Sequence, residues 1–201
     1  MTDLKQQPAV ATLIGDVVGS RTAADRSGLH GRLADVLTRA NELLRPTVPL
    51  RITVADEFQG CFTTVGEAVH ASLWLTLHLA PGQLRHGIGW GPVAVLADEP
   101  RVEDGPGWWV ARAAIEAVKA DAAKAATRLM RTAYRRAEET DGPEPGAVNA
   151  ALMCRDQMVG SVSQRSLRLL RGVLDGRSQV ELAEEEGISA SAVSQRMRKD
   201  G

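Results

Sequence analysis

Three acidic residues carry the sharpest chemical signal. Asp16 follows an apolar run at residues 10–14, and Asp56 and Glu57 lie between two extended runs. In the first of these, Leu50, Ile52 and Val54 alternate with Arg51 and Thr53; the second covers residues 58–63. Such alternation around a polar turn predicts a hairpin. If its second strand runs antiparallel beside the first strand of the chain, the hairpin tip meets that strand's carboxyl end. Asp16 and Asp56 then come side by side. Two neighbouring carboxylates repel unless a cation joins them, and Mg²⁺ takes one or two carboxylates together with water and substrate phosphates. The chemistry expected of this set is metal-assisted phosphoryl transfer, with Asp16, Asp56 and Glu57 as candidate ligands for Mg²⁺ or Mn²⁺. Val18, Gly19, Ser20 and Arg21 come directly after Asp16. If a helix starts there, its backbone N–H groups could hold a phosphate, with Arg21 as a clamp. The plainer alternative is a set of turn residues and solvated charges.

The elements that must position these residues can be read from periodicity. Residues 10–14 form a strand, and Leu29, Leu33, Val36, Leu37, Ala40, Leu43 and Leu44 recur at helical spacing over about 25–44, ended by Pro46 and Pro49. After the hairpin, residues 65–80 repeat the helical pattern, Pro81 and Gly82 supply a turn, and 84–95 reads as a strand. The order strand, helix, strand, strand, helix, strand is the ferredoxin-like βαββαβ plan. A polar loop at 97–107 leads into an Ala-rich stretch at 108–139 that predicts one long helix. The run Asp-Gly-Pro-Glu-Pro-Gly at 141–146 is the best linker in the chain. The fold class expected is α+β, a ferredoxin-like palm domain followed by an all-α helix-turn-helix segment. The expected boundaries are 1–140 for the palm with its following long helix, 141–162 for a linker and connecting helix, and 163–201 for the helix-turn-helix.

Composition narrows the chemistry further. The 201 residues are 44% hydrophobic and 24% charged, too apolar for a disordered chain. With 24 Lys plus Arg against 25 Asp plus Glu, any nucleic-acid contact must be a local patch. Cys61 and Cys154 lie far apart, and the four histidines show no ligand spacing, so neither a zinc ribbon nor an imidazole metal site is expected. No apolar stretch approaches the roughly 20 residues of a membrane helix, and the first residues lack a secretory pattern. The expectation is a cytoplasmic protein. Gly87, Gly89 and Gly91 lack the spacing of a dinucleotide loop and read as strand glycines that admit close packing.

The stretch Ile-Gly-Asp-Val-Val-Gly-Ser at 14–20 resembles the metal-binding first strand of class III nucleotidyl cyclases. Ala-Asp-Glu-Phe at 55–58 resembles their hairpin and the Asp-Glu-Phe of GGDEF proteins, and residues 84–93 are similar to the strand that follows. The whole chain more closely resembles the bacterial SatD family, in the stretches at 15–20, 56–60, 87–91 and 104–109. The cyclase resemblance implies a nucleotide ligand and a divalent metal, while a homodimer is expected because one DNA-binding module alone takes only a short half-site. Those enzymes place an Asn and, four residues on, an Arg on the helix after the last core strand. Arg112 matches the Arg and is the candidate catalytic and ribose or phosphate contact, but Trp108 stands at the Asn position. Trp108 and Trp109 could instead stack on a planar ligand.

Residues 179–196 resemble the helix-turn-helix of sigma factors. Leu182, Ala183 and Val193 are expected to face inward, Gly187 to take the left-handed turn and Ser189 to cap the next helix. Ser191, Ser194, Gln195, Arg196, Arg198 and Lys199 are then the candidate DNA contacts. Taken together, the sequence leads to the expectation of a DNA-binding regulator whose cyclase-like palm binds a nucleotide or phosphorylated ligand with a divalent metal. The alternatives are an active nucleotidyl cyclase or transferase, and a degenerate palm serving as an interaction scaffold.

Overall fold

The computed structural model describes residues 8–79 and 83–200. The first seven residues and the turn expected at Pro81 and Gly82 lie outside the described residues. A five-stranded mixed sheet is formed by β1 (Ala9–Val17), β2 (Val48–Val54), β3 (Glu57–Phe62), β4 (Leu84–Pro92) and β7 (Thr132–Arg136), in the order β2-β3-β1-β4-β7. β1 is antiparallel to both β3 and β4, so the hairpin lies on one side of it and β4 on the other. With α1 (Arg26–Leu44) and α2 (Val65–Leu79), the elements from β1 to β4 follow the expected βαββαβ order.

Alternation along β1 divides the core. Ala11, Leu13 and Val17 join Leu29, Leu33, Val36 and Leu37 of α1 and Ala68, Ala71, Trp74 and Leu75 of α2 on one face of the sheet. Each fully buried Leu or Val among them contributes roughly 1.5–3 kcal/mol of hydrophobic stabilisation. Thr12, Ile14 and Asp16 fall on the opposite face, because successive strand residues point to opposite sides. There Ile14 packs with Trp108, Ala111 and Ile115 of α3 (Pro106–Ala122). α3 lies very close to β4. A Cβ added at Gly89 would come within 2.2 Å of the Gly107 carbonyl oxygen, and one at Gly87 within 2.3 Å of that of Ala111. The glycines are therefore a packing requirement of this face, as their spacing suggested.

Two segments depart from expectation. The region 94–104 is not a loop but a second hairpin, β5 (Ala94–Asp98) with β6 (Arg101–Asp104). The single long helix expected over 108–139 is also incorrect. α3 ends at Ala122, a short turn follows, and Thr132–Arg136 pairs parallel with β4 as β7. Alanine content favours helix locally, but Thr132, Ala133 and Tyr134 gain burial as a strand, and tertiary burial overrides propensity. α3 supplies the crossover that a parallel pair requires. α4 (Pro145–Ser161) then covers β7. Asn149 bonds both the N–H and the carbonyl of Tyr134, and Asp156 accepts the N–H groups of Arg131 and Thr132, each at 2.7 Å.

The remaining three helices are α5 (Gln164–Leu174), α6 (Gln179–Glu186) and α7 (Ala190–Asp200). They enclose a small core of Leu169, Leu182, Ala183 and Val193. Ser178 and Glu181 form a reciprocal capping box at the start of α6, and Gly187 at φ 63° ends it. The Ser189 hydroxyl accepts the Ala192 N–H at the start of α7. Among the described residues no helix is long and apolar enough to cross a membrane.

Candidate functional site

The carboxyl end of β1, the β2–β3 turn and the last turn of α3 meet around a cleft of about 500 Å³. Asp16, Asp56 and Glu57 line it together with Val17, Gly19, Ser20, Arg21, Arg26, Arg85 and Lys119. The antiparallel register predicted from the motif order thus brings Asp16 and Asp56 to one place. Ala55, at φ 55°, turns the chain so that the Asp56 Oδ2 accepts the Val17 N–H at 3.1 Å. That bond ties the hairpin tip to the end of β1.

Asp16 is largely buried and is not a bare carboxylate. Its cross-strand neighbour Arg85 donates from Nε to Oδ1 at 2.8 Å and from Nη2 to Oδ2 at 3.4 Å. The Lys119 ammonium lies 3.2 Å from Oδ2 and 2.8 Å from Glu116. Desolvation works against the charge on Lys119, but hydrogen bonds to Glu116 and Asp16 prevail and raise its pKa. It therefore remains an ammonium at neutral pH.

The residues after Asp16 do not enter a helix at once. Val18 donates its N–H to the Gln83 carbonyl and is partly exposed, Gly19 takes the left-handed conformation at φ 73°, and residues 20–22 make one tight turn. α1 starts only at Arg26, where the Asp25 side chain already accepts the Gly28 N–H. The helix start expected directly after Asp16 to offer free amides to a phosphate is therefore not found there. Arg21 and Arg26 are exposed at the cleft and have no acidic partner among the described residues.

Glu57 and Arg112 form a bidentate pair, Nη1 to Oε2 at 2.5 Å and Nη2 to Oε1 at 2.6 Å. The hydrogen bond to Glu57, opposed in part by desolvation, raises the Arg112 pKa. Both groups are thus engaged with each other at the rim. Trp108 is buried beneath α3, whereas Trp109 is half-exposed and donates from Nε1 to Asp104 at 2.7 Å.

The lining carboxylates not taken by Arg112 are Asp16, held by Arg85 and Lys119, and Asp56, which has no cationic partner among the described residues. Among the described residues no cluster of three or more His, Cys, Asp or Glu could hold a metal ion by itself. Two carboxylates beside free guanidinium groups fit the other mode, in which Mg²⁺ keeps water and is completed by phosphate oxygens of a ligand.

On α7, Ser191, Gln195, Arg198 and Lys199 are exposed. Arg198 folds back on Ser194, with Nη2 to Oγ at 3.2 Å, and Ser191 bonds Ser189. Arg196 turns inward and donates to the Ser163 hydroxyl at 3.1 Å. Glu186, which could repel phosphate, is neutralised by Arg168 and Arg165, and the Arg168 hydrogen bond is the main cause of its lowered pKa.

Arg85, Lys119 and Arg26 were missed by sequence reasoning. The signal for Arg85 was its register opposite Asp16, and Lys119 lies seven residues after Arg112, two turns along the same helix face.

Fold and cleft together define an α+β domain with a charged cleft at the end of its first strand. The SatD family model matches residues 10–201, and the chain belongs to that family. A search of the curated proteins found no match. Among solved structures, the chain is similar to the catalytic core of a rhodopsin-guanylyl cyclase with converted specificity, in complex with ATPαS. That match has 18% identity and a TM-score of 0.43, covering 55% of this chain and 72% of the other. It is also similar to a bacterial light-regulated adenylyl cyclase. Here identity is 14% and the TM-score 0.48, with 64% of this chain and 43% of the other covered. A further structure of a bacterial light-regulated adenylyl cyclase gives 15% identity and a TM-score of 0.47, over 64% and 76%.

Proposed function

We propose that this SatD protein is a regulator whose palm cleft binds a nucleotide or other phosphorylated ligand together with a divalent cation, and whose C-terminal helices contact DNA. The observation that carries the first half is the meeting of Asp16 and Asp56 in one cleft with Arg21 and Arg26, which have no acidic partner among the described residues. Phosphate recognition rests on paired positive charge and multiple donors, which guanidinium groups supply. Asp16 and Asp56 would hold Mg²⁺ or Mn²⁺, which when bound neutralises phosphate charge. Val17, Gly19 and Ser20 shape the wall against which the ligand lies, whereas Val18 is not part of the lining.

Turnover is not the favoured reading. Arg112, the one residue matching the catalytic Arg pattern, is clamped by Glu57, and the side chain four residues earlier is a buried Trp. The DNA half is supported by Ser191, Gln195, Arg198 and Lys199 on the exposed face of α7, which follows α6 after the left-handed turn at Gly187. Half-exposed Val95, Leu96, Val102 and Trp109 on the β5–β6 hairpin and the first turn of α3 support a homodimer, which would pair two half-sites.

The test is a thermal-shift screen against nucleoside triphosphates and cyclic nucleotides with Mg²⁺ or Mn²⁺, with products analysed for each hit. A metal-dependent rise in Tm that Asp56→Ala abolishes supports the palm site, because ligand binding to the native state stabilises it. Product formation lost in Asp16→Ala would establish the enzyme instead. Unchanged Tm with every nucleotide would leave the scaffold reading. For DNA, anisotropy should show a log-log salt slope that decreases in magnitude by about one in Lys199→Ala.

A further inference from the structure

Asp16 is the residue a metal would need most, and it already carries two protein cations. These two differ in mobility. Arg85 faces Asp16 across the β1–β4 pairing and grips it with Nε and Nη2, so its position is set by the sheet. Lys119 reaches Asp16 from α3 on a flexible four-carbon stem, through one contact at 3.2 Å, and its side chain is 31% exposed. A single point charge on a long stem is released far more readily than a forked guanidinium.

The charge balance of the cleft gives this difference a role. Glu57 is matched by Arg112. What remains on the lining is Arg21, Arg26, Arg85 and Lys119 against Asp16 and Asp56, with Glu116 just outside it, 2.8 Å from the Lys119 ammonium. The cleft is therefore net positive. A divalent cation arriving alone would add to that excess beside two cations on the same carboxylate. A polyphosphate would relieve it, and a polyphosphate with one divalent cation would leave the cleft close to neutral.

Resting on the proposed phosphate-binding palm, we infer that Lys119 is an exchangeable counter-ion that couples metal to phosphate. Without ligand it occupies Asp16 and keeps divalent cations off. When a polyphosphate enters, Lys119 leaves Asp16 for a phosphate oxygen and opens the Oδ2 edge of the carboxylate to the metal, while Arg85 stays on Oδ1. Lys119 is thus a positioning residue, and the ligand class it selects is a polyphosphate rather than a monoanion, since only the former offsets both the metal and the freed ammonium.

The experiment uses the full chain as wild type, Lys119→Met and Lys119→Arg. Mn²⁺ binding is measured by electron paramagnetic resonance of the free ion, with and without pyrophosphate. Removing one positive charge beside the site should tighten Mn²⁺ binding in Lys119→Met by about tenfold in the absence of pyrophosphate. Lys119→Arg should stay close to wild type. Pyrophosphate should strengthen Mn²⁺ binding in wild type and do so far less in Lys119→Met, because the coupling is reciprocal and runs through this side chain. Lys119→Gln repeats the test if the Met variant fails to fold. Equal Mn²⁺ affinity in wild type and Lys119→Met, with Mn²⁺-dependent triphosphate binding intact in both, overturns the counter-ion role and leaves the palm site standing. Failure of the wild type to bind Mn²⁺ with any triphosphate or pyrophosphate overturns the palm reading, and the role of Lys119 with it.

Discussion

His86 should make this fold acid-labile in a defined window. It sits near the start of β4, between β1 and β7, with none of its surface exposed and neither ring nitrogen hydrogen-bonded. Its ring packs edge-on to Phe58 with centroids 6.0 Å apart. Desolvation, and secondarily the positive charge of Arg155, lowers its pKa from 6.5 to about 3. Between those values the unfolded chain binds a proton that the folded chain excludes, so stability falls as pH falls. Above about pH 7 the effect vanishes, and below about pH 3 it is fully developed. Integrating over the window gives a loss of about 2 kcal/mol at pH 5 and about 3 kcal/mol at pH 4 relative to pH 8. His86→Leu removes the group while keeping apolar volume. The two chains should be compared by urea unfolding followed by circular dichroism, at pH 8 and pH 5. The variant should be at least as stable at pH 8, since it also removes two unsatisfied nitrogens, and should gain about 2 kcal/mol more at pH 5. An equal loss of stability with pH in both chains would refute this account of the imidazole.

Other perturbations follow from the same packing. Gly89→Ala drives a methyl into the Gly107 carbonyl and the Thr12 hydroxyl, and should destabilise by about 1–3 kcal/mol, read as a lower urea midpoint at unchanged m-value. Cys61 is buried, and desolvation pushes its pKa up to about 12, whereas Cys154 is exposed. Native protein should therefore be alkylated by iodoacetamide at Cys154 alone, as mass spectrometry of the peptides would show. Asp156→Ala strips the acceptor from two backbone N–H groups and from Arg155, and should destabilise by about 3–5 kcal/mol, seen as a large drop in Tm. Arg112→Ala, which breaks an exposed pair with Glu57, should change stability by less than about 1 kcal/mol and leave Tm almost unmoved.

What could be read from the sequence was what local chemistry decides. The α1 face from Leu29 to Ala40, the hairpin around Asp56 and the left-handed turn at Gly187 all depend on neighbours within a few residues. The β7 strand could not be read that way. Its five residues follow an Ala-rich stretch, and their strand state is fixed by β4 on one side and by Asn149 and Asp156 on the other. The same holds for the β5–β6 hairpin, whose Asp, Glu and Pro content gives the composition of a loop.

The candidate site divides along the same line, and the division bears on how it works. Asp16 and Asp56 were found because acidic residues at strand ends in a recognisable order announce a ligand. Arg85 and Lys119 carry no motif. They become part of the site only through the β1–β4 register and the close seating of α3, and that seating depends on Gly87 and Gly89 having no side chain. Any change that lifts α3 from β4 should therefore withdraw Lys119 from Asp16 while leaving Arg85 in place. Gly89→Ala is then a structural counterpart of Lys119→Met. If α3 shifts without unfolding, Gly89→Ala should raise metal affinity in the absence of phosphate, although Gly89 itself is absent from the cleft lining.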